Sequence, residues 1–163
     1  MPFEKAVAVK QPVPARRSGC PVNISLEVLG DRWSLLIVRD LMVRGFHTFR
    51  DFEHAGEGIA TNILANRLRR LCRAGIAQAE RDPADGRRKR YRLTKKGIDL
   101  APVLLELLIW GAKHEQTGAP GKVISQMARN RQSLIEETRR RWKEHDPRPL
   151  LPWLGGPKES ARL

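Results

Sequence analysis

Residues 60–74 read ATNILANRLRRLCRA, and residues 75–94 continue GIAQAERDPADGRRKRYRLT. At 100° per residue, Leu64, Leu68 and Leu71 fall at i, i+4 and i+7, on one side of a helix, which is the spacing of a stripe that packs on a core. Asn62, Asn66, Arg69 and Arg73 point within about 40° of the opposite direction. That outward face carries no acid. An ordinary solvated helix face would be expected to mix Glu or Asp among its cations, whereas Asn pairs bidentately with adenine and Arg with guanine in the major groove of DNA. Gly75 stops the helix, and residues 76–81 and 89–93 have strand character on either side of the turn signal Asp85-Gly86. The pattern predicts a groove-entering helix followed by a β-hairpin wing whose basic tip, Arg87, Arg88 and Lys89, grips phosphate or enters a minor groove. The alternative for the tip is protection of a hairpin edge against aggregation.

Upstream, Pro2, Pro12 and Pro14 interrupt any periodic pattern over residues 1–18, which read as a flexible arm with Arg16 and Arg17 at its end. Cys20-Pro21 looks like a helix start, with Ile24, Val28 and Leu29 on one side and Gly30 as the stop. Asp31 can cap a second helix carrying Trp33, Leu36, Ile37, Asp40 and Leu41, ending near Gly45. A short extended piece over residues 46–48 and a short helix over residues 49–54 complete the approach to the segment quoted above.

The whole chain of 163 residues has 31 Lys and Arg against 18 Asp and Glu, a net charge of +13. Residues 60–96 alone hold 12 basic and 3 acidic side chains, so most of the positive field sits on the predicted helix and wing. A polyanionic partner follows, and the dominance of arginine suits phosphate and guanine better than lysine would. The longest apolar stretch, residues 100–112, is interrupted by Pro102 and Glu106 and is too short to cross a bilayer. Residues 1–19 lack the sustained apolar stretch of a secretory signal, so a cytoplasmic location is expected. The two cysteines, Cys20 and Cys72, are expected as thiols, and the four histidines do not pair with them at metal-ligand spacing. With no phosphate loop or nucleophile elbow, neither an enzyme, a metal nor a cofactor is expected.

Taken in order, these residues resemble the HxlR-type winged helix-turn-helix regulators, relatives of the MarR-type repressors. The resemblance runs from Cys20-Pro21-Val22 through Gly30-Asp31-Arg32-Trp33, Phe49, Ile59, Leu64, Arg67, Leu68, Leu71 and Gly75 to Tyr91-Arg92-Leu93-Thr94, Gly97 and Trp110-Gly111. It implies a dimeric transcription regulator whose helix from residue 60 enters the major groove of each half-site while the wing contacts flanking backbone. Thr61, Asn62, Asn66, Arg67, Arg69, Arg70, Arg73, Arg87, Arg88 and Lys89 are the expected DNA contacts. Three features depart from the family: Thr48 stands where Arg is common, the wing tip uses Asp85-Gly86 in place of a proline-rich turn, and the chain continues beyond Glu115, where the typical family domain ends.

Thr94 is a candidate cap for a long helix whose Leu100, Val103, Leu104, Leu107, Leu108, Ile109 and Trp110 cover nearly its whole circumference. One small domain cannot bury all of that, so Ile24, Val103, Leu104, Leu107, Leu108 and Trp110 are the expected homodimer interface. Val123, Met127, Leu134, Ile135 and Trp142 sketch one further amphipathic helix, and the prolines after Asp146 argue for an irregular tail. The expected layout is an arm (1–18), a winged helix-turn-helix domain with its dimer helix (19–116), and a helical extension with tail (117–163). The fold class is mainly α with a small β wing. Cys20, beside a helix start and near two arginines, is a candidate redox sensor. The function expected is a sequence-specific double-stranded DNA-binding regulator, a repressor or an activator, acting on a near-palindromic operator. A nonspecific architectural or RNA-binding protein is the alternative, one that leaves the Asn and Arg face idle.

Overall fold

A computed structural model describes residue 16, residues 18–151 and residue 154. Most of the proposed arm, Arg17 and Trp153 lie outside the described residues. The chain forms α1 (Pro21–Leu29), α2 (Ser34–Arg39), a π-helical turn (Asp40–Arg44), α3 (Phe49–Glu53), α4 (Thr61–Arg73), β1 (Ala77–Arg81), β2 (Lys89–Leu93), α5 (Lys95–Ile98), α6 (Ala101–His114), α7 (Gly121–Arg129) and α8 (Arg131–Glu144). The fold is mainly helical with one small antiparallel sheet, a winged helix-turn-helix.

Leu64, Leu68 and Leu71 are all but fully buried and join Ile37, Val38, Phe52, Ile76, Leu93 and Ile98 in the main core. Each such side chain contributes roughly 1.5–3 kcal/mol on leaving water. Gly75, at φ +68°, ends α4. Its N–H donates to Cys72 O (3.0 Å), and the N–H of Ile76 donates to Leu71 O (2.9 Å). This is the paired bonding of a Schellman motif, for which the left-handed glycine is needed. β1 and β2 pair in the register Ala77↔Leu93 through Arg81↔Lys89. The extended piece at residues 46–48 joins them as a third edge, through a bridge from Thr48 to Arg90 and a bond from Tyr91 N to His47 O (2.7 Å).

Two expectations about helix continuity are corrected. Thr94 does not cap the long helix: its hydroxyl accepts from Gly97 N (3.2 Å) at the start of α5. The chain then leaves the helical path and restarts as α6, with Pro102 in its first turn. A continuous helix would set the proline ring against the carbonyl of Ile98, and Pro102 has no N–H to offer it. Residues 121–144 likewise form two helices broken at Asn130, not one. Because Met127 and Leu134 are seven residues apart, the apolar pattern stays in phase across the break and hides it.

α7 and α8 build a second core with α6, in which Leu105, Ile109, Ile124 and Met127 are buried against Leu134, Ile135 and Leu151. α8 also reaches the main core. Trp142 Nε1 donates to Leu93 O (2.8 Å), and the Arg92 guanidinium lies 5.4 Å from the Trp142 ring and donates to the Trp142 carbonyl. The tail is tied down where the π-helical turn ends: the N–H groups of Leu150 and Leu151 both donate to Val43 O at 2.9 Å.

Candidate nucleic-acid interface

α4 places its side chains by the 3.6-residue period, and its exposed residues are Thr61, Asn62, Asn66, Arg69 and Arg73. Ala60, at the N-cap, provides no side-chain acceptor, so the first-turn N–H groups of α4 face solvent with their dipole uncapped. α3 packs beneath, and its start is fixed by reciprocal bonds. Thr48 Oγ1 accepts from Asp51 N (3.2 Å), and Asp51 Oδ2 accepts from Thr48 N (2.8 Å) and His47 N (3.0 Å). Thr48, which departs from the family pattern, therefore caps a helix instead of offering a cation.

Arg67 and Arg70 differ from the other five polar positions. Arg67 is 21% exposed and its Nε lies 2.9 Å from Asp31 Oδ1. Arg70 Nη1 is 3.9 Å from Asp31 Oδ2, and Nη2 donates to Glu27 O (3.3 Å) at the end of α1. Arg67 Nη1 also donates to Asn66 Oδ1 (3.1 Å), which orients that amide. Burial raises the Asp31 carboxyl, but the Ser34 hydroxyl, the N–H groups of Trp33 and Ser34, and the Arg67 charge outweigh it and hold the group below its ordinary value. Sequence reading saw Asp31 only as a cap. It is also the brace between α1, α2 and α4, a role with no local signal because its arginine partners lie far along the chain on α4.

The wing carries Arg87, Arg88 and Lys89 exposed at or beside its tip, as expected, with Arg81 and Arg90 exposed on the strands. The pattern had not singled out those last two, nor exposed Arg50 on α3. Arg88 Nε is 3.2 Å from Asp85 Oδ2, and Asp85 Oδ1 accepts from Arg87 N (3.1 Å), so the turn acid holds the loop shut. Thr94 fixes the wing to α4: its hydroxyl donates to Gly75 O (2.5 Å) and its N–H to Ile76 O (3.0 Å). A Cβ on Gly97 would overlap the Ile76 carbonyl oxygen, so glycine permits that close approach.

Cys20 is an exposed free thiol at the N-cap of α1, lowered below its ordinary pKa by the N–H groups of Asn23 and Val22. Cys72 is half-buried, and burial raises it. Of the expected dimer residues, Val103, Leu107 and Trp110 are exposed, while Ile24, Leu104 and Leu108 are half-buried. Val22 and Leu26 add exposed apolar surface on α1. Among the described residues no helix is long and apolar enough to cross a membrane.

A short helix leading into a second helix with an acid-free amide and arginine face, flanked by a basic hairpin, defines the winged helix-turn-helix class. Within that class the chain belongs to the HxlR-like helix-turn-helix family, whose model matches residues 28–119. Rv3095 of Mycobacterium tuberculosis, an HTH-type transcriptional regulator, is 35% identical over 101 residues, which are 61% of this chain and 61% of its own length. The transcription-factor structure PA1607 superposes with a TM-score of 0.59 at 39% identity, over 65% of this chain and 72% of that one. The redox regulator HypR in its oxidized form matches with a TM-score of 0.52 at 29% identity, covering 60% of this chain and all of HypR (100%).

Proposed function

We propose that this protein is a transcriptional regulator that binds a specific double-stranded DNA site as a homodimer. The observation that carries this is the outward face of α4, where Asn62, Asn66, Arg69 and Arg73 are all exposed and no acid intervenes. In this reading those four meet base edges. Thr61 and the uncapped first turn of α4 take a phosphate. Arg67 and Arg70, held by Asp31, set the pitch of the helix and reach only backbone. Arg87, Arg88 and Lys89 grip flanking phosphates from the wing. The exposed stripe Val103, Leu107 and Trp110 on α6, with exposed Val22 and Leu26 of α1, joins two copies, so that two α4 helices meet half-sites about one turn of DNA apart.

Selection of bound duplexes from a random pool tests the proposal directly. A near-palindromic consensus is expected, and scrambled DNA at the same salt should compete poorly. Enrichment of no consensus, with equal competition by scrambled duplex or RNA, would mark a phosphate-only binder.

The regulator is further proposed to respond to oxidants through Cys20. Its thiolate attacks a peroxide oxygen, an S–O bond forms, the O–O bond breaks, and the departing hydroxide takes a proton to leave water and a sulfenic acid. α1 transmits the change, because its C-terminal carbonyl at Glu27 accepts from Arg70 of α4. The likeness to HypR supports this reading. Peroxide is expected to release DNA from the parent protein and not from Cys20→Ser; equal release from both would remove Cys20 from the response.

A further inference from the structure

Between α2, α6, α8 and the tail lies a cavity of about 470 Å³. Leu36, Leu104, Leu108, Leu134, Ile135 and Leu151 supply much of its wall, and no aromatic ring is among the described residues that line it. The far side is therefore made by residues beyond the family match, which ends at residue 119. Arg39 is the one charged residue among those lining it. Its charge is already matched: Nη1 is 3.0 Å from Glu57 Oε1, and Nη2 is 2.8 Å from Asp40 Oδ1. The Thr138 hydroxyl, also in the wall, donates to Leu134 O (2.7 Å). The wall thus offers a largely hydrocarbon surface whose one guanidinium is matched in charge, although its Nη2 makes no hydrogen bond.

The volume falls within the roughly 300–1,000 Å³ of small-molecule sites, and a site of this chemistry disfavours water and charge alike. We infer that the cavity is a binding site for an uncharged, largely hydrocarbon small molecule. A second copy of the chain is the wrong shape of occupant. At 100° per residue the exposed stripe of Val103, Leu107 and Trp110 is centred about 100° around α6 from Leu104, Leu108 and Gly111, which line the cavity. Leu107 stands at the shared edge and lines it too, whereas Val103 and Trp110 lie outside it and are left for a partner. Gly111 marks the open space, since a Cβ built there meets no atom within 4 Å. The π-helical turn contributes Val43 to the wall, and irregular turns of this kind are frequent at functional sites.

The test needs no DNA, so its outcome is independent of the proposed function. The neutral fluorophore 1-N-phenylnaphthylamine is titrated into the full chain. Saturable enhancement at one probe per chain is expected, with displacement by decanol at least tenfold more effective than by decanoate. Gly111→Leu fills the space and should weaken the probe at least tenfold with no fall in Tm; Ala119→Leu, from another part of the wall, should do the same and decides the matter if the first variant unfolds. Trp110→Ser should leave probe binding within twofold. The inference is overturned by absence of saturable binding, by decanoate competing as well as decanol, or by loss of the probe in Trp110→Ser with retention in Gly111→Leu. It is equally overturned if Gly111→Leu dissociates a dimer, which would make a second copy the occupant.

Discussion

Asp31 concentrates several demands on one carboxylate: it accepts from the N–H groups of Trp33 (2.9 Å) and Ser34 (3.0 Å) and faces Arg67. Asp31→Asn keeps an oxygen for the cap but loses the charge facing Arg67, and is expected to cost about 1 kcal/mol. Because folding lowers this carboxyl's pKa, its stabilisation is present above the unfolded value and is lost as pH falls through the folded one. Urea melts from pH 6 downward should show the gap between parent and Asn variant closing below about pH 4. On the outer face, Arg69→Ala should weaken the selected site by about 1–3 kcal/mol and spare scrambled duplex. Equal losses on both, by gel shift, would refute base contact there. Asn62, Asn66, Arg69 and Arg73 were legible because a helix fixes their angle to the leucine stripe. Arg67 and Arg70 were not, since they sit on the flank, and the angle alone does not say which neighbour lies beside a flank.

At the level of elements, the wing and α8 are joined. Trp142→Phe deletes the donor to Leu93 O and should cost roughly 1–3 kcal/mol in a thermal or urea melt, because that carbonyl lies where water is scarce. Arg87→Ala and Arg88→Ala should each reduce the slope of log K against log salt by about 0.9 if each arm neutralises one phosphate, with the same change on any sequence. An unchanged slope would place the tip off the backbone. The hairpin was readable from Asp85-Gly86 and the alternation around it. The contact that anchors it, Thr94 to Gly75 and Ile76, was not, because it joins two turns 18 and 19 residues apart in sequence. The break before α6 could have been inferred from Pro102; the break at Asn130 had no such marker.

For the molecule as a whole, Trp110 is 58% exposed and Leu107 48%. Leu107→Glu places a charge in the middle of the stripe and should yield monomers in sedimentation. DNA affinity should then fall by about 100-fold or more as the two half-sites cease to be linked. A dimer that survives this change would assemble through another surface. The location of the charge announced a polyanion at this scale, and the order of elements through β2 followed from periodicity and stops. The second core did not, since an amphipathic helix beyond the domain shows an apolar side without showing that α6 is its partner.

Val43 and the two amides that end on its carbonyl are separated by more than a hundred positions of chain. At about 5–20 residues per second, a ribosome needs roughly 5–20 s to produce the second half of that clasp after the first has been made. Through that interval the nascent polypeptide shows bare leucine to the cell, and a product that stops short never closes. Chaperone dependence of translation, more than any defect in the finished fold, is where loss of the last turns would first be felt.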